Sequence, residues 1–551
     1  MAKKGTGANA KKAGSAARAE EIAAAAASDL PRATEMAQAA KSEGVAHPLV
    51  HHIIAIKLRE EGRFEDAIIE LGLGLALDPN DARLMTEVGL CLLDLGRRRE
   101  AARVLGVAIK LAPQSPDTNF AYGWAADRLG ALDVAQAGFD RAVALSPNHV
   151  DALVGLSGLA VRRRDWDEAG SYAERALAID PDQPDALTNL ARIELGRGEF
   201  AAAEARLRRL KELPQLKAQA RADIHLMLGD ALDGERRYSD AFRAYVEGKS
   251  ALRELFAHLY GSPGTRATSD GAREILAEFL ETPVDAWKKP GRTATESGER
   301  GHAFLVGFPR SGTTLLEQVL GAHPDVVSLE ERPLLIDAEE EFLTQPGGVR
   351  RLAGAVPALL APYRQAYWKR VREFGVEPSG KVFIDKHPFG TFRLPLISKV
   401  FPDAKIIFAV RDPRDVVLSC FRRGFNMNIA MYEFNSIMSA ANFYDAVMTA
   451  GDVYLEKLPV EAFQLRYEDL VSDFEATASG LCDFLGIAWT ERMRDFAATP
   501  SARRSATPSS AQVTRGLYSE GVDQWRNYAF ALEPVLPLLQ PWIKKFGYDP
   551  A

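Results

Sequence analysis

At 551 residues the chain is too long for one ordinary domain, so two or more are expected. With 47% hydrophobic residues, 26% charged residues and a net charge of −7, it reads as globular and gives no general footing for nucleic acid, although local basic pockets are compatible with that balance. Cys91, Cys420 and Cys482 are too few and too scattered for a disulfide framework or a thiolate metal site, and they fit a reducing compartment. No apolar run reaches the roughly 18 residues of a membrane span, and the N-terminal lysines run into Ala-rich polar sequence instead of a signal-peptide core. A cytoplasmic protein is expected. Residues 1–45 are low in complexity and lack large apolar groups, which predicts a flexible tail with some fraying helix.

A period follows. Pro79, Pro113, Pro147 and Pro181 recur every 34 residues. Ala67, Ala101, Ala135 and Ala169 lie twelve residues before them, and Gly74, Ala108, Ala142 and Ala176 lie five before. Gly62, Gly96 and Gly130 lie seventeen before, with Arg164 as the exception. Small residues let two antiparallel helices approach, glycine turns the chain and proline ends the second helix. The period and the small-residue positions resemble the tetratricopeptide repeat. A fifth unit runs through Gly198 and Ala203, and a degenerate sixth through Gly229, Ala241 and Tyr245. The resemblance implies an α-solenoid over residues 46–255, with a groove for a protein partner; packing on the chain's own C-terminal domain or on a second copy is the alternative.

Residues 256–300 are rich in turn formers and enclose one amphipathic helix, Ala272–Trp287, a linker with a docking helix. From residue 301 to 551 short apolar runs alternate with helices, the pattern of an α/β domain with a central parallel sheet. "HAFLVGF" predicts a buried parallel strand, and "TTLLEQVLGAH" the helix after it. Such a strand–loop–helix aims backbone N–H groups and a positive helix end at an anion. Gly312 permits close approach, Ser311, Thr313 and Thr314 supply hydroxyls, and Arg310 supplies a forked cation. The loop is nearly the phosphate loop of nucleotide hydrolases, but Thr313 occupies the lysine's place. "FIDK", Phe383–Lys386, is a weak candidate for the magnesium-binding acid such enzymes need. Without metal, the transferred group should carry less charge than a phosphoryl.

"GFPRSGTTLLEQVLGAHPDVVSLEE" resembles the donor loop of sulfotransferases that use 3′-phosphoadenosine 5′-phosphosulfate (PAPS). It is most similar to tyrosylprotein sulfotransferases and to bacterial sulfotransferases with N-terminal tetratricopeptide repeats. Further motifs keep the family order over about 300–530. In "KIIFAVRDPRDVVLSCFRRGF" the resemblance implies that Arg411 and Ser419, with Arg423 as a further candidate, bind the donor's 3′-phosphate. In "VFIDKHPFG" it places Lys386 near the sulfuryl and leaving group. In "QLRYEDLVSD" it brings Tyr467 to the adenine end, while the residues alone fit a core aromatic equally well. In "SSAQVTRGLYSEGVDQWRNY" it implies donor contacts from Ser510 and Arg515, and Gln524 stands where the family commonly has a basic residue.

The implied reaction is in-line sulfuryl transfer to an acceptor hydroxyl, with Arg310 and Lys386 stabilising the departing oxygen and no metal. The family's catalytic glutamate matches Glu331, and His387 is the rival base, although it adjoins Lys386 where other sulfotransferases leave one residue between. His323 is expected to order the chain after the helix. A protein tyrosine, a glycan and a small metabolite all fit as acceptor, and pairing with a second copy stays open. A kinase or ATPase, and a repeat adaptor with an inactive nucleotide-binding domain, are the alternative readings.

Overall fold

The computed structural model describes residues 5–26, 28–214, 216–289, 298–498 and 521–550. The chain divides into two compact units, Met1–Gln215 and Leu216–Ala551.

The described part of the first unit is helical: α1 (Gly5–Ala26), α2 (Leu30–Ser42), α3 (Pro48–Glu60), α4 (Phe64–Leu77), α5 (Ala82–Asp94), α6 (Arg98–Leu111), α7 (Pro116–Arg128), α8 (Leu132–Leu145), α9 (Val150–Arg163), α10 (Trp166–Ile179), α11 (Pro184–Arg197) and α12 (Phe200–Lys211). From α3 onward these pair as hairpins. Ala67, Ala101, Ala135 and Ala169 are fully buried where the paired helices meet. Gly62, Gly96 and Gly130 turn each hairpin at φ 75°, 74° and 79°, a left-handed conformation that glycine adopts without steric cost. Arg164 holds the same conformation at φ 62° without that freedom. The period therefore survives the loss of its glycine, because the helices on either side fix the turn.

The stretch read as a flexible tail carries α1 and α2. Asp29 caps α2 by accepting from the Arg32 amide, and Ala33, Ala37 and Ala40 are buried with Ile22, Val50 and Ile53. Alanine costs no side-chain entropy in a helix and lets helices pack closely, so few large apolar groups are needed.

The second unit opens with a further hairpin, α13 (Ala218–Gly234) and α14 (Tyr238–Tyr260), then α15 (Thr268–Leu280). Its turn again uses a non-glycine left-handed residue, Arg236 at φ 62°. The expected parallel sheet follows: β1 (Gly301–Val306), β2 (Val326–Glu330), β3 (Val382–Lys386), β4 (Lys405–Val410) and β5 (Glu461–Arg466), ordered β2-β3-β1-β4-β5 and parallel throughout. The connections carry α16 (Thr313–Gly321), α17 (Ile336–Phe342), α18 (Gly348–Ala353), α19 (Pro357–Glu373), α20 (Leu394–Val400), α21 (Pro413–Arg422), α22 (Ile429–Tyr432) and α23 (Ile437–Lys457). β1 is flanked by β3 and β4, and the chain leaves β1 toward β2 but leaves β4 toward β5. Loops diverge at such a point and open a crevice beyond the carboxyl ends of the strands.

Candidate active site

The loop between β1 and α16 lies at that crevice. Gly307 passes so close to β4 that a Cβ would sit 2.4 Å from the Ala409 carbonyl oxygen. Gly312, at φ 89°, is the residue before α16, and a Cβ there would sit 2.7 Å from the Tyr467 ring. Arg310 also takes a positive φ, 71°. Ser311, Thr313 and Thr314 are buried in the loop and first turn.

Arg310 Nε donates to Ser419 Oγ at 2.9 Å, which joins the loop to α21. Arg411, on the short link from β4 to α21, donates from Nη1 to the Arg310 carbonyl at 3.0 Å and from Nη2 to the Gly521 carbonyl. Its guanidinium lies 4.9 Å from the Tyr467 ring, and its Nε is buried with no hydrogen-bond partner. Asp412 starts α21 by accepting from the Arg414 amide, with Pro413 in the first turn. Arg310, Arg411 and Ser419 thus form one group around the loop. Arg423 does not join it: its side chain turns to Asp230 at 3.9 Å. Tyr467 satisfies both sequence readings in part, being a member of the sheet's apolar core and also the wall against Gly312 and Arg411. Ser510 and Arg515 lie outside the described residues.

Lys386 ends β3 and is completely buried, yet three carboxylates reach its ammonium. Glu331 Oε1 lies at 2.8 Å, Glu330 Oε1 at 3.0 Å and Glu317 Oε2 at 3.5 Å. Burial alone would lower this lysine's pKa; Glu317, Glu331 and Glu330 outweigh it and hold the group charged, above the ordinary lysine range. Glu330 continues β2 beside Lys386 in register. Glu331 then breaks the strand: its amide donates to the Lys386 carbonyl at 2.8 Å, and its backbone takes φ 48°, a costly conformation for a non-glycine residue. Its side chain is 42% exposed, so it alone of the three carboxylates opens broadly to solvent.

Glu317 is the site residue that sequence reading missed. It projects from α16, accepts from Ser328 Oγ at 3.1 Å, and burial pushes its carboxyl up to about 7 against the pull of Lys386. The available signal is that it is the one ionisable residue in the apolar run Thr313–Gly321.

The rival residues have other surroundings. His387 Nδ1 is buried without a partner, and burial, Arg393 and Lys386 all push its pKa well below the usual value. His323 orders the turn after α16, with Nε2 paired to the Ala488 carbonyl at 2.8 Å and Nδ1 accepting from the Asp325 amide at 3.0 Å. Asp385, the acid of "FIDK", projects to the other face of β3 from Lys386 and accepts from the Tyr367 hydroxyl at 3.0 Å. Gln524 accepts from Arg422 at 3.5 Å. No group of three or more His, Cys, Asp or Glu residues placed to hold a metal ion occurs among the described residues.

Residues 303–491 match the model of the sulfotransferase family, and residues 89–148, 120–184 and 160–223 match tetratricopeptide repeat models. An uncharacterized protein of Aquifex aeolicus is 24% identical over 361 residues, 63% of this chain and 45% of that protein. Protein-tyrosine sulfotransferase 1 of Danio rerio is 27% identical over 45% of this chain and 72% of its own length; the Homo sapiens protein of the same name is 28% identical over 45% and 69%. The chain therefore spans less than half of the Aquifex aeolicus relative and about 70% of the other two. Among solved structures, the sulfotransferase domain of the Synechococcus PCC 7002 olefin synthase covers 48% of this chain and 98% of its own at 24% identity, with a TM-score of 0.33. The matched span contains the β1–α16 loop, Glu331, Lys386 and α21, so residues 303–491 form a sulfotransferase-family domain that follows tetratricopeptide repeats in the sequence.

Proposed function

We propose that this protein transfers a sulfuryl group from PAPS to an acceptor hydroxyl by in-line displacement. The observation that carries the reading is the convergence of an anion-binding loop, a buried ammonium at Lys386 and a half-exposed carboxylate at Glu331 on the carboxyl edge of one parallel sheet. The loop fits the donor's 5′-phosphosulfate: Gly307 and Gly312 leave no room for side chains, and the buried hydroxyls of Ser311, Thr313 and Thr314 stand at the amino end of α16. Arg411, whose buried Nε lacks a partner, and Ser419 fit the 3′-phosphate, with Arg310 bridging the two groups. Ser510 and Arg515 are further proposed donor contacts, whereas Arg423, turned toward Asp230, is not among them.

In this mechanism Glu331 takes the proton from the acceptor hydroxyl as its oxygen bonds to sulfur. The bond from sulfur to the bridging oxygen breaks, and its electron pair leaves with adenosine 3′,5′-bisphosphate. Lys386 and Arg310 meet the charge that develops on that oxygen, the role in which preorganised cations contribute most. The position of Asp385, on the far side of β3, counts against a magnesium-dependent kinase reading.

The acceptor class belongs to the same proposal. Glu331 matches the tyrosylprotein family, and the repeats favour a polypeptide or glycan, with a protein partner bound along the repeat array. A cytoplasmic setting is supported by the three free, buried cysteines. No helix among the described residues is long and apolar enough to cross a membrane. Incubation with ³⁵S-labelled PAPS and fractionated host extract tests the reading: label should move to an acceptor and adenosine 3′,5′-bisphosphate should accumulate. Magnesium-dependent ATP turnover with no use of PAPS would overturn it.

A further inference from the structure

The hairpin α13–α14 has the small-residue packing of the repeats, since a Cβ at Gly229 would lie 2.4 Å from the Tyr245 ring and one at Gly248 would lie 2.8 Å from the Ala222 carbonyl oxygen. Its outer residues, however, face the end of α21. Arg422, the last residue of α21, is only 11% exposed and donates to Asp233 Oδ2 at 2.6 Å. The same guanidinium lies near two rings, 5.2 Å from Tyr245 and 5.1 Å from Tyr528. One residue on, the Arg423 carbonyl accepts at 2.7 Å from Lys249, a lysine of α14 that is 1% exposed.

Asp233 has a second bond. Its Oδ1 accepts from the Tyr528 hydroxyl, so this carboxylate joins α21 to the segment that resumes at Gly521. Those two segments are also tied at the opposite end, where the Gly521 carbonyl accepts from Arg411 and the Trp525 amide donates to Asp415 at 2.8 Å. The pair is thus held from both ends, and the end remote from Arg411 is held by a helix of the repeat-like hairpin.

We infer that Asp233, on the repeat-like hairpin, is a positioning residue for the donor's 3′-phosphate, acting by fixing α21 and the Gly521–Tyr528 segment against each other. This rests on the donor assignment above. A planar guanidinium near two rings and bonded to one carboxylate is confined in direction. Removing the carboxylate leaves a buried cation with the longer bond to Gln524 at 3.5 Å, and Ser419 lies three residues earlier on the same helix, where a shift of Arg422 is felt. The hairpin is then a component of the transferase and not only a spacer after the array.

The test uses the full chain and two probes, adenosine 3′,5′-bisphosphate and adenosine 5′-monophosphate, with affinities measured by calorimetry. Their ratio reports the 3′-phosphate preference, which general loss of stability would leave unchanged because both affinities fall together. In Asp233→Asn the preference should fall on the order of tenfold, the scale of a small misplacement in a preorganised site. Asp233→Glu should recover part of it. Tyr528→Phe, which keeps the ion pair, should lower the same ratio by a few-fold, and it decides the question if Asp233→Asn does not fold. A wild-type ratio in these variants would overturn the inference alone. A wild-type protein that binds the two probes equally would overturn the donor assignment and the inference with it.

Discussion

Two ionisable residues stand side by side on β3 and meet opposite surroundings. Lys386 ends the strand toward the loop and shares its charge with Glu317, Glu330 and Glu331, the last of which reaches solvent. Asp385, one residue earlier, points through the sheet to Tyr367, whose hydroxyl also pairs with His302 at 2.9 Å. Burial pushes Asp385 up to about 7, with Oδ1 left unpartnered, and pushes His302 down to about 3. Both faces bury polar groups, but only one joins them to a carboxylate that opens to solvent. The alternation of a strand is enough to separate a chemical face from a sealed one.

If the faces differ in this way, substitutions should divide into those that change chemistry and those that change stability. Glu331→Gln should have the largest effect, lowering turnover about 100- to 10,000-fold while leaving adenosine 3′,5′-bisphosphate binding nearly intact. Radiolabelled-donor kinetics beside calorimetry would check it, and the same loss in His387→Gln would move the base to that residue.

On the sealed side, Asp385→Asn should change the pH dependence of folding. The native carboxyl keeps its proton to about pH 7, whereas the unfolded one releases it near its ordinary 3.8. Between those values the native carboxyl binds more protons than the unfolded one, so the contribution of Asp385 to stability falls as pH rises and levels above about 7. That fall is on the order of 4 kcal/mol, and Glu317 adds a contribution of the same sign. Urea denaturation at pH 5 and pH 8 should show a smaller difference in the variant, with the contribution of Glu317 remaining. An unchanged difference would place the titration elsewhere.

Smaller effects belong to Arg411 and Ser419, the residues proposed to hold the donor. Arg411→Ala should weaken adenosine 3′,5′-bisphosphate binding about 10- to 100-fold, with less effect on the acceptor, because a charged hydrogen-bond donor is removed. Unchanged affinity would break the 3′-phosphate assignment. Ser419→Ala should cost about 10-fold in the same measurement, the low end for one hydrogen bond to a charged group.

What could be read in advance follows the range of each signal. The strand, the glycines at 307 and 312 and the helix after them are local, so their spacing alone predicted the loop. Lys386 was legible because an apolar strand ending in a charged residue has a definite exit. Glu317 was not, since a lone Glu in an apolar helix reads as a surface residue until the ammonium beneath it is known. Likewise the small-residue pattern continues in degenerate form into α13 and α14 but says nothing of what covers their outer face. The alanines of α1 and α2 were misleading for a related reason: low complexity marks the absence of large side chains, not the absence of packing.

The compact-unit boundary before Leu216 bears on how such a chain can vary. Ahead of it, each hairpin is defined by the same few small residues, so whole 34-residue repeats can be gained or lost without altering what any one of them requires. Behind it, α13 and α14 look like one more repeat but hold Arg422 and Arg423. Recombination that treats every hairpin as interchangeable would therefore leave Arg422 and Arg423 held when it falls within the array and release them when it replaces the last pair.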